Sequence, residues 1–399
     1  MKRTVYIFLL LTSITIAFVK CSKESTSATT PTESYTAIKA AFGSNIDPNN
    51  LLNYANQIIP AYIRKDNTTA GNSITNNKAT LGRVLFYDKN LSIDNTISCA
   101  SCHQQVIAFS DTAIASHGVA GGLTERHSMR LVNSRFATER KFFWDERAAS
   151  LEIQTTQPMQ DHAEMGFSGV NGRPGFSSLL TKLQGIGYYN ELFKWIYGDA
   201  NVTETRLQEC LAQFVRSIQS FDAKYDIGRA QVAADNLDFP NFTAQENTGK
   251  MLFLAPPVFN ATGNRISGGA GCGGCHRAPE FDIDPNTGNN GIIGSLTGTG
   301  RDLTNTRTPT LRDLTNTAGI PNSAMMHTGV ISTIQTAIGH YGNINANNNN
   351  TNLDPRLKPN GFGQQLNFTA GEVNALIAFI KTLSGTNVYT DVKWSNPFK

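Results

Sequence analysis

The chain has 399 residues, 40% of them hydrophobic, so it can bury ordinary cores in about two or three domains. Its formal net charge of +3 at pH 7 is too small to favour nucleic acid as a partner. No Lys/Arg-rich run or nucleic-acid motif is present. We therefore expect a globular protein that does not bind nucleic acid.

The first 21 residues have the pattern of an export signal. Two basic residues precede an apolar stretch from Val5 to Val19, whose length suits a secretory segment better than a membrane span. Cys21 follows directly, and both lipidation at Cys21 and ordinary cleavage further on are compatible with the sequence. Residues 22–35 are polar and rich in Ser and Thr, as in a flexible linker. We predict a periplasmic protein, tethered to a membrane if Cys21 carries lipid.

Two short sequence motifs, called words below, are the most informative about the chemistry of the chain. They are Cys99-Ala100-Ser101-Cys102-His103 and Cys272-Gly273-Gly274-Cys275-His276. Each is C-x-x-C-H, the attachment signature of c-type haem. Two thiols three residues apart lie on one face of a helical turn, where both can form thioethers with the haem vinyl groups. The His that follows can ligate the iron from the proximal side. We predict two covalently attached haem c groups; zinc binding is the alternative. Haem is attached to such words outside the bacterial inner membrane, which agrees with an export signal.

The wide separation of the two words predicts one haem per domain. Similar apolar segments precede them, Leu81–Phe86 before the first word and Gly249–Phe253 before the second, as a weak internal repeat. We predict an N-terminal haem domain over residues 36–240 and a C-terminal haem domain over residues 241–399.

The remaining pattern is helical. Apolar residues recur at helical spacing in Arg206–Phe221, which predicts that Cys210 is a buried, inert thiol. Thr243–Glu246 and Thr369–Glu372 have capping-box form and each predicts the start of a helix, the second one ending at Gly385. Sustained period-two alternation is absent from the sequence. We expect a mainly α fold with long loops and one short hairpin.

At this point the chain resembles the bacterial di-haem cytochrome c peroxidase family, which includes the methylamine-utilisation di-haem enzymes. The resemblance covers roughly residues 78–385 and implies two cytochrome c-like domains that face each other. In one of the matching motifs, Phe143–Ala148, Glu146 stands where the family has Gly. The words that carry the resemblance are Leu85-Phe86-Tyr87-Asp88, Ser98–His103, Ala108-Phe109-Ser110-Asp111, Phe143-Trp144-Asp145-Glu146-Arg147-Ala148, Leu151-Glu152-Ile153-Gln154, Glu164-Met165-Gly166, Pro309-Thr310-Leu311-Arg312 and Met326-His327-Thr328-Gly329.

The resemblance implies roles for individual residues. His103 and His276 are the implied proximal iron ligands. Glu164 matches the family's acid–base glutamate beside the first haem, where a carboxylate can move a proton between the peroxide oxygens. Gln154 is expected to assist it by hydrogen bonding, and Trp144 matches the family's tryptophan between the haems, an electron relay. The alternatives without a catalytic role are that Glu164 is a surface residue, Gln154 an ordinary helix residue and Trp144 an ordinary core residue.

The distal ligands are less usual. A Met ligates the second haem in typical family peroxidases, but Tyr341 occupies that position here, as in the methylamine-utilisation branch. A tyrosinate favours ferric and higher oxidation states, whereas Met favours the ferrous state. His340, Met325 and Met326 are the alternative ligands. At the first haem His117 is the candidate distal ligand; without it, that iron is open.

The resemblance also bears on ions and partners. The family usually has Asn, which binds an inter-domain calcium ion, where this chain has His127; the matching carbonyl donor is Thr317. We expect an exported cytochrome-c peroxidase that reduces hydrogen peroxide with electrons from a small donor cytochrome or another periplasmic carrier. The alternatives are oxidation of a protein or small organic substrate through high-valent iron, and plain electron transfer. Family members are often dimers, so a homodimer is compatible with the resemblance.

Overall fold

Helices joined by long loops make up the fold. The computed structural model describes residues 34–283, 285–296, 300–347 and 349–399, and residues 35–399 form one compact unit. The predicted export signal, Cys21 and nearly all of the predicted linker lie outside the described residues. No helix in the described ranges is long and apolar enough to cross a bilayer.

The described residues form eleven α-helices and four short strands, together with eight short 3₁₀ helices. The helices are α1 Thr36–Phe42, α2 Asn76–Tyr87, α3 Cys99–Cys102, α4 Leu151–Gln160, α5 Phe176–Gln184, α6 Gly187–Tyr197, α7 Glu204–Ser217, α8 Lys224–Arg229, α9 Ala244–Leu254, α10 Ile334–Gly342 and α11 Ala370–Lys381. The strands form two antiparallel pairs, β1 Pro257–Phe259 with β2 Arg265–Gly268, and β3 His276–Arg277 with β4 Asp282–Ile283. The expectation of a mainly α fold is confirmed, with two short ladders where one hairpin was predicted.

In the first half, α2 crosses α7 at a glycine. A Cβ atom on Gly82 would lie 2.0 Å from the carbonyl oxygen of Cys210, so only hydrogen lets the two backbones approach this closely. Just after the crossing, the rings of Phe86 and Phe214 pack with their centroids 5.1 Å apart. Cys210 is fully buried, as its helical spacing predicts.

The second half repeats this crossing with α9 and α11. A Cβ on Gly249 would lie 1.9 Å from the carbonyl oxygen of Ala375, and the rings of Phe253 and Phe379 pack 5.2 Å apart. The same Gly-x-x-x-Phe spacing, Gly82 to Phe86 and Gly249 to Phe253, therefore lies at the crossing of an equivalent helix pair in each half. Each C-x-x-C-H word follows the first helix of its pair, so the crossing helps to fix where both words lie.

Two hydrophobic cores correspond to these helix pairs. The first surrounds α2 and α7, and the second surrounds α9 and α11. The C-terminal segment after α11 packs on the first core rather than the second: Trp394 is 2% exposed, and its carbonyl oxygen accepts a hydrogen bond from Tyr87. Arg83 donates to the carbonyl oxygen of Ser395 in the same segment. The predicted boundary between residues 240 and 241 stays a prediction, but this tail contributes to the core on the other side of it.

The two capping boxes predicted the starts of their helices correctly. Thr243 and Thr369 cap α9 and α11, and both predicted capping boxes are present. The end of α11 differs from the prediction: the helix stops at Lys381, with Thr382 as its C-cap, before Gly385. Gly385 instead packs against Asp222, where a Cβ would lie 2.1 Å from a carboxylate oxygen.

Candidate active site

The first C-x-x-C-H word forms a short helix and a tight loop. Ser98 and Ser101 make a capping box at the start of α3, which sets both cysteines on one helical turn. The His103 Nδ1 atom lies 3.2 Å from the carbonyl oxygen of Phe109, which leaves Nε2 as the free ring nitrogen. Phe109 has a positive φ of 57° and is fully buried, so the loop is folded back towards the histidine. Burial lowers the pKa of His103 and favours the neutral imidazole that metal ligation needs.

Glu164 lies beside this word, in the loop after α4. The backbone N–H of Glu164 donates to Asp161 Oδ1 at 2.9 Å, which fixes the turn. Burial and the neighbouring Asp161 raise the pKa of Glu164 to about 7. Cys99 and Cys102 are close enough to interact with Glu164 electrostatically. The structure therefore brings a carboxyl group that titrates near neutral pH to the first haem-attachment word.

The loop that carries His117 is packed onto the Glu164 loop. A Cβ on Gly118 would lie 1.9 Å from the carbonyl oxygen of Ala163. The backbone N–H of Val119 donates a hydrogen bond to the backbone carbonyl oxygen of Glu164 at 3.0 Å. The His117 side chain is exposed, and its role as a ligand stays a prediction. Gln154 is partly buried in the middle of α4, and its catalytic role also stays a prediction.

The second word opens onto a cavity of about 590 Å³, within the roughly 300–1,000 Å³ of typical ligand sites. Cys272, Cys275 and His276 lie on its wall. Burial lowers the pKa of His276 to about 4, so the imidazole is neutral, and its Nδ1 and Nε2 atoms are not charged at neutral pH. Gly271, with φ of 72°, begins the turn that carries the cysteines.

Tyr341 and Met326 line the same cavity, and Asn290 joins them. The Asn290 amide lies 3.3 Å from the Tyr341 hydroxyl and 3.2 Å from the Met326 sulfur. Met325 is also in the lining. His340 has a different environment, because its Nε2 atom lies 2.9 Å from the backbone carbonyl of Asn290. The cavity thus holds three of the four candidate distal ligands, and the choice of Tyr341 stays a prediction.

Trp144 lines the second cavity, and its place between the two haems stays a prediction. Its indole N–H donates to the carbonyl oxygen of His127 at 2.8 Å, and its own carbonyl accepts from the backbone of Thr306 and Arg307. The Trp144 ring also packs edge-on against the His327 imidazole, with centroids 6.2 Å apart. His127 is close enough to His103 to influence its titration. The indole is therefore fixed by residues from both halves of the chain.

An ion cluster beside Trp144 joins the two halves of the chain, and nothing in the sequence predicts it. Arg126 pairs with Asp145 at 2.6 Å and with Asp302 at 2.6 Å, and Asp302 lies 3.7 Å from the His327 ring. Asp145 and His327 belong to words already singled out, but Asp302 stands in a Gly- and Asn-rich loop that gives no periodic signal. Only the folded chain brings these charges together.

A sequence profile described as di-haem cytochrome c peroxidase matches residues 76–231. The methylamine utilization protein MauG of Methylophilus methylotrophus is 29% identical over 322 residues, which span 79% of this chain and 84% of that protein. The chain is thus similar to the di-haem cytochrome c peroxidase family, including its MauG branch.

Two further likenesses agree with this family. Cytochrome-c peroxidase IdrP1 of a Pseudomonas species is 26% identical over 362 residues, or 82% of this chain and 84% of that protein. The crystal structure of a MauG-like protein associated with microbial copper homeostasis has a TM-score of 0.65 and 24% identity, and it covers 86% of this chain and 99% of its own. The structural likeness shows that the two proteins share a fold.

The di-haem family that the profile describes implies two haem c groups, and the residues present fit them. At the second word, two cysteines, a neutral histidine, Tyr341 and Met326 all line one largely apolar cavity. At the first word, His103 has Nδ1 directed to a backbone carbonyl, which orients Nε2 as a ligand. Both donor sets therefore match thioether attachment with a proximal histidine.

The calcium prediction involves His127, whose Nδ1 atom lies 3.0 Å from the carbonyl oxygens of both Ala113 and Ile114. A ring N–H that satisfies these carbonyls occupies them without a cation. No group of three His, Cys, Asp or Glu side chains suited to a metal ion occurs among the described residues. Calcium binding near His127 and Thr317 stays a prediction.

Proposed function

We propose that this protein is a peroxidase that reduces hydrogen peroxide to water with electrons from a donor cytochrome or a similar carrier. The observation that carries the proposal is the partly buried Glu164 carboxyl, whose pKa of about 7 suits a group that both accepts and donates a proton. Electron transfer alone needs no such group beside the first haem word.

Residues of the chain hold each haem in this proposal. Cys99, Cys102 and His103 bind the first, and Cys272, Cys275 and His276 bind the second. When bound, the first haem supplies the redox chemistry that breaks the peroxide O–O bond. Burial of both histidines keeps them neutral and available as ligands.

Glu164 moves the proton in the proposed reaction. Its ionised carboxylate takes the proton from one peroxide oxygen and delivers it to the other, which leaves as water. The Asp161 carboxylate fixes the Glu164 backbone and disfavours its ionisation, so Glu164 releases its proton readily only near neutral pH. Gln154 is proposed to orient peroxide by hydrogen bonding.

Trp144 is proposed to pass electrons between the two haems. Its indole is held by the hydrogen bond to His127 and by edge contact with His327, so its position is rigid. A fixed aromatic ring shortens each electron-transfer step compared with a single jump across the whole gap. Tyr341 is proposed to ligate the second haem.

Steady-state peroxide turnover with a reduced donor cytochrome tests the proposal on the two-haem protein. We expect turnover by the wild type and a loss of about 10²–10⁴-fold in kcat for Glu164→Gln, the usual contribution of a positioned acid–base group. Glu125→Gln is the matched control, because Glu125 is an exposed carboxyl that interacts with Glu164 only through its charge. Equal activity of Glu164→Gln and wild type would refute the assignment.

The same assay decides whether the first haem needs activation. Fast turnover only after reduction by one electron would support His117 as a ligand that must leave the iron. Fast turnover of the oxidised enzyme would indicate that the first haem is open. Absence of any reaction with peroxide would leave a plain electron carrier.

A second candidate function is oxidation of a protein or small organic substrate. The presence of Tyr341 in the second cavity favours it, since a tyrosinate stabilises higher oxidation states of iron. Peroxide that changes the haem spectrum without turning over the donor cytochrome would favour this candidate.

The proposed location is the periplasm, with Cys21 as a lipid anchor. Support comes from the export-signal pattern and from the haem words, which are loaded outside the inner membrane. Fractionation of cells that express wild type or Cys21→Ser tests the anchor. Loss of membrane association in the variant supports lipidation, and identical distribution contradicts it.

A further inference from the structure

Two adjacent tyrosines next to the first haem word share one proton acceptor. The hydroxyl groups of Tyr188 and Tyr189 both donate to Asp88 Oδ2, each at 2.6 Å. Their rings are in contact, with centroids 4.7 Å apart. Asn90 donates to the other Asp88 oxygen from its backbone and its side chain, so the carboxylate is held in place.

This pair connects the interior with the surface. Tyr189 is fully buried, and Cys99 is close enough to raise the pKa of its phenol. Tyr188 is partly exposed and packs against Phe42 and Phe398 at the edge of the first core. Electrons can therefore step between the first haem region and the surface through two rings in contact.

We propose that Tyr189 and Tyr188 form a path by which oxidising equivalents leave the first haem for the protein surface, with Asp88 as the proton acceptor. The inference rests on the proposed reaction with hydrogen peroxide. Such a path drains oxidising equivalents when the donor cytochrome is absent, before they damage the haem or its ligands. The electron transfer proposed for Trp144 is separate from this path, because it connects the first haem with the second.

The electrons and protons balance at every step. One electron leaves Tyr189 for the peroxide-oxidised first haem, and the phenolic proton moves to Asp88 Oδ2, which gives a neutral tyrosyl radical and a protonated carboxyl. An electron then passes from Tyr188 to Tyr189; Asp88 returns its proton to Tyr189 and receives the proton of Tyr188. A small one-electron reductant in solvent, such as ascorbate, finally reduces Tyr188, which recovers its proton from Asp88.

Other tyrosines bonded to carboxylates lack these features. Tyr62 donates to Asp226 at 2.8 Å and is partly exposed, like Tyr188. Asp226, however, is ion-paired with the buried Arg312. Tyr62 is therefore a matched control that keeps the phenol–carboxylate contact without the tyrosine pair.

The test is electron paramagnetic resonance of the two-haem protein frozen rapidly after mixing with hydrogen peroxide, without donor cytochrome. The optical spectrum of the haems is followed in parallel. We expect a tyrosyl radical in the wild type and in Tyr62→Phe, and its loss in Tyr189→Phe. In Tyr188→Phe the radical remains on the buried Tyr189 and decays more slowly with ascorbate.

The outcomes separate the inference from the proposed function. A haem spectrum that responds to peroxide without any tyrosyl radical, or a radical that persists unchanged in Tyr189→Phe, overturns the tyrosine path and leaves the peroxidase intact. Haem bands that do not respond to peroxide overturn both. Because Tyr→Phe keeps the ring packing, thermal unfolding and the resting haem spectrum serve as checks that the variants are folded.

Discussion

The Glu164 carboxyl sets the pH response of the proposed reaction at the scale of a single residue. Burial and Asp161 raise its pKa to about 7, so it is largely protonated below that pH and cannot take a proton from peroxide. We expect kcat/KM for peroxide to rise with pH through about 7 and then level off. A pH series on wild type and Glu164→Gln checks this. A rise of the same size in the variant would assign the titration to another group.

Tyr341 allows a second prediction at this scale. If its oxygen ligates the second haem, Tyr341→Met replaces a tyrosinate by a thioether and raises the reduction potential of that haem. Spectroelectrochemical titration of the two-haem protein measures the change. Met326→Leu is the control, because Met326 lines the same cavity and shares Asn290 with Tyr341. A change in potential in Met326→Leu, with none in Tyr341→Met, would make Met326 the ligand.

Glu146 adopts a backbone conformation that usually favours glycine. It stands where the family has Gly, and its backbone φ is 57°, in the left-handed region that glycine adopts freely. The loop of the Phe143–Ala148 word keeps this conformation even with a side chain present. The neighbouring pairing of Phe142 with Ala148 holds the loop closed, so Trp144 keeps its place.

At the scale of elements, the two glycine crossings should be sensitive to one added carbon atom. Gly82→Ala places a Cβ against the Cys210 carbonyl, and we expect a loss of about 1–3 kcal/mol in the free energy of unfolding, as for other overpacked cores. Gly249→Ala should behave alike. Denaturant unfolding of the haem-loaded protein measures both.

Gly339 in α10 is the matched control. No atom lies within 4 Å of the place its Cβ would occupy, and the residue is exposed on the helix. Gly339→Ala should therefore increase stability by about 0.5–1 kcal/mol, because alanine loses less backbone entropy in a helix. Similar losses in all three variants would indicate that the crossings are not special.

The α4–α7 contact depends on a buried ion pair. Glu152 of α4 accepts hydrogen bonds from Arg216, which is 1% exposed, and from Asn72. Glu152→Gln leaves the Arg216 charge buried without its partner, and we expect a loss of about 3–5 kcal/mol in the free energy of unfolding. The exposed Asp199–Arg206 pair is the control, and Asp199→Asn should cost far less.

The same pair predicts acid sensitivity. Its hydrogen bonds to Arg216 and Asn72 lower the pKa of Glu152 to about 2, below the ordinary value of an unfolded chain. The stability it contributes is therefore present in full above the unfolded pKa and is lost as the pH falls towards 2. Thermal unfolding between neutral and acid pH should show a smaller acid loss in Glu152→Gln than in wild type.

At the scale of the whole molecule, Trp144 is held by residues from both halves. We expect Trp144→Phe to slow electron exchange between the haems, because it removes the indole and its hydrogen bond to His127. Rapid-mixing spectroscopy of the half-reduced protein with peroxide follows each haem separately. Trp195→Phe is the control, since Trp195 packs against the first core. Unchanged exchange in Trp144→Phe would contradict the relay.

Local patterns predicted the parts of this molecule that depend on neighbouring residues. The haem words, the helical class and both capping boxes follow from short spacings that fix a turn or a cap. The ends of helices were less well predicted, because Thr382 closes α11 without any glycine signal. Glu164 was found only through its resemblance to a family, since a single carboxylate in a loop has no local signature.

Long-range contacts could not be predicted. Asn290 joins two candidate ligands across the second cavity, and Asp302 reaches Arg126 from a distant loop. Neither residue stands in a periodic or motif-bearing segment. The Tyr188–Tyr189 pair lies in α6, but its contact with Asp88, which is distant in sequence, could not be predicted either. Such contacts depend on the register of whole elements, which a sequence pattern constrains only weakly.

The tail after α11 bears on how the chain is made. Its backbone accepts hydrogen bonds from Arg83 and Tyr87 of α2, and Trp394 fills part of the core that α2 builds. Domains generally fold in the order in which they emerge during synthesis. Here the first core lacks Trp394 and its neighbours until the segment after α11 has been made, so the core around α2 is completed only after the core around α9 and α11 has been synthesised.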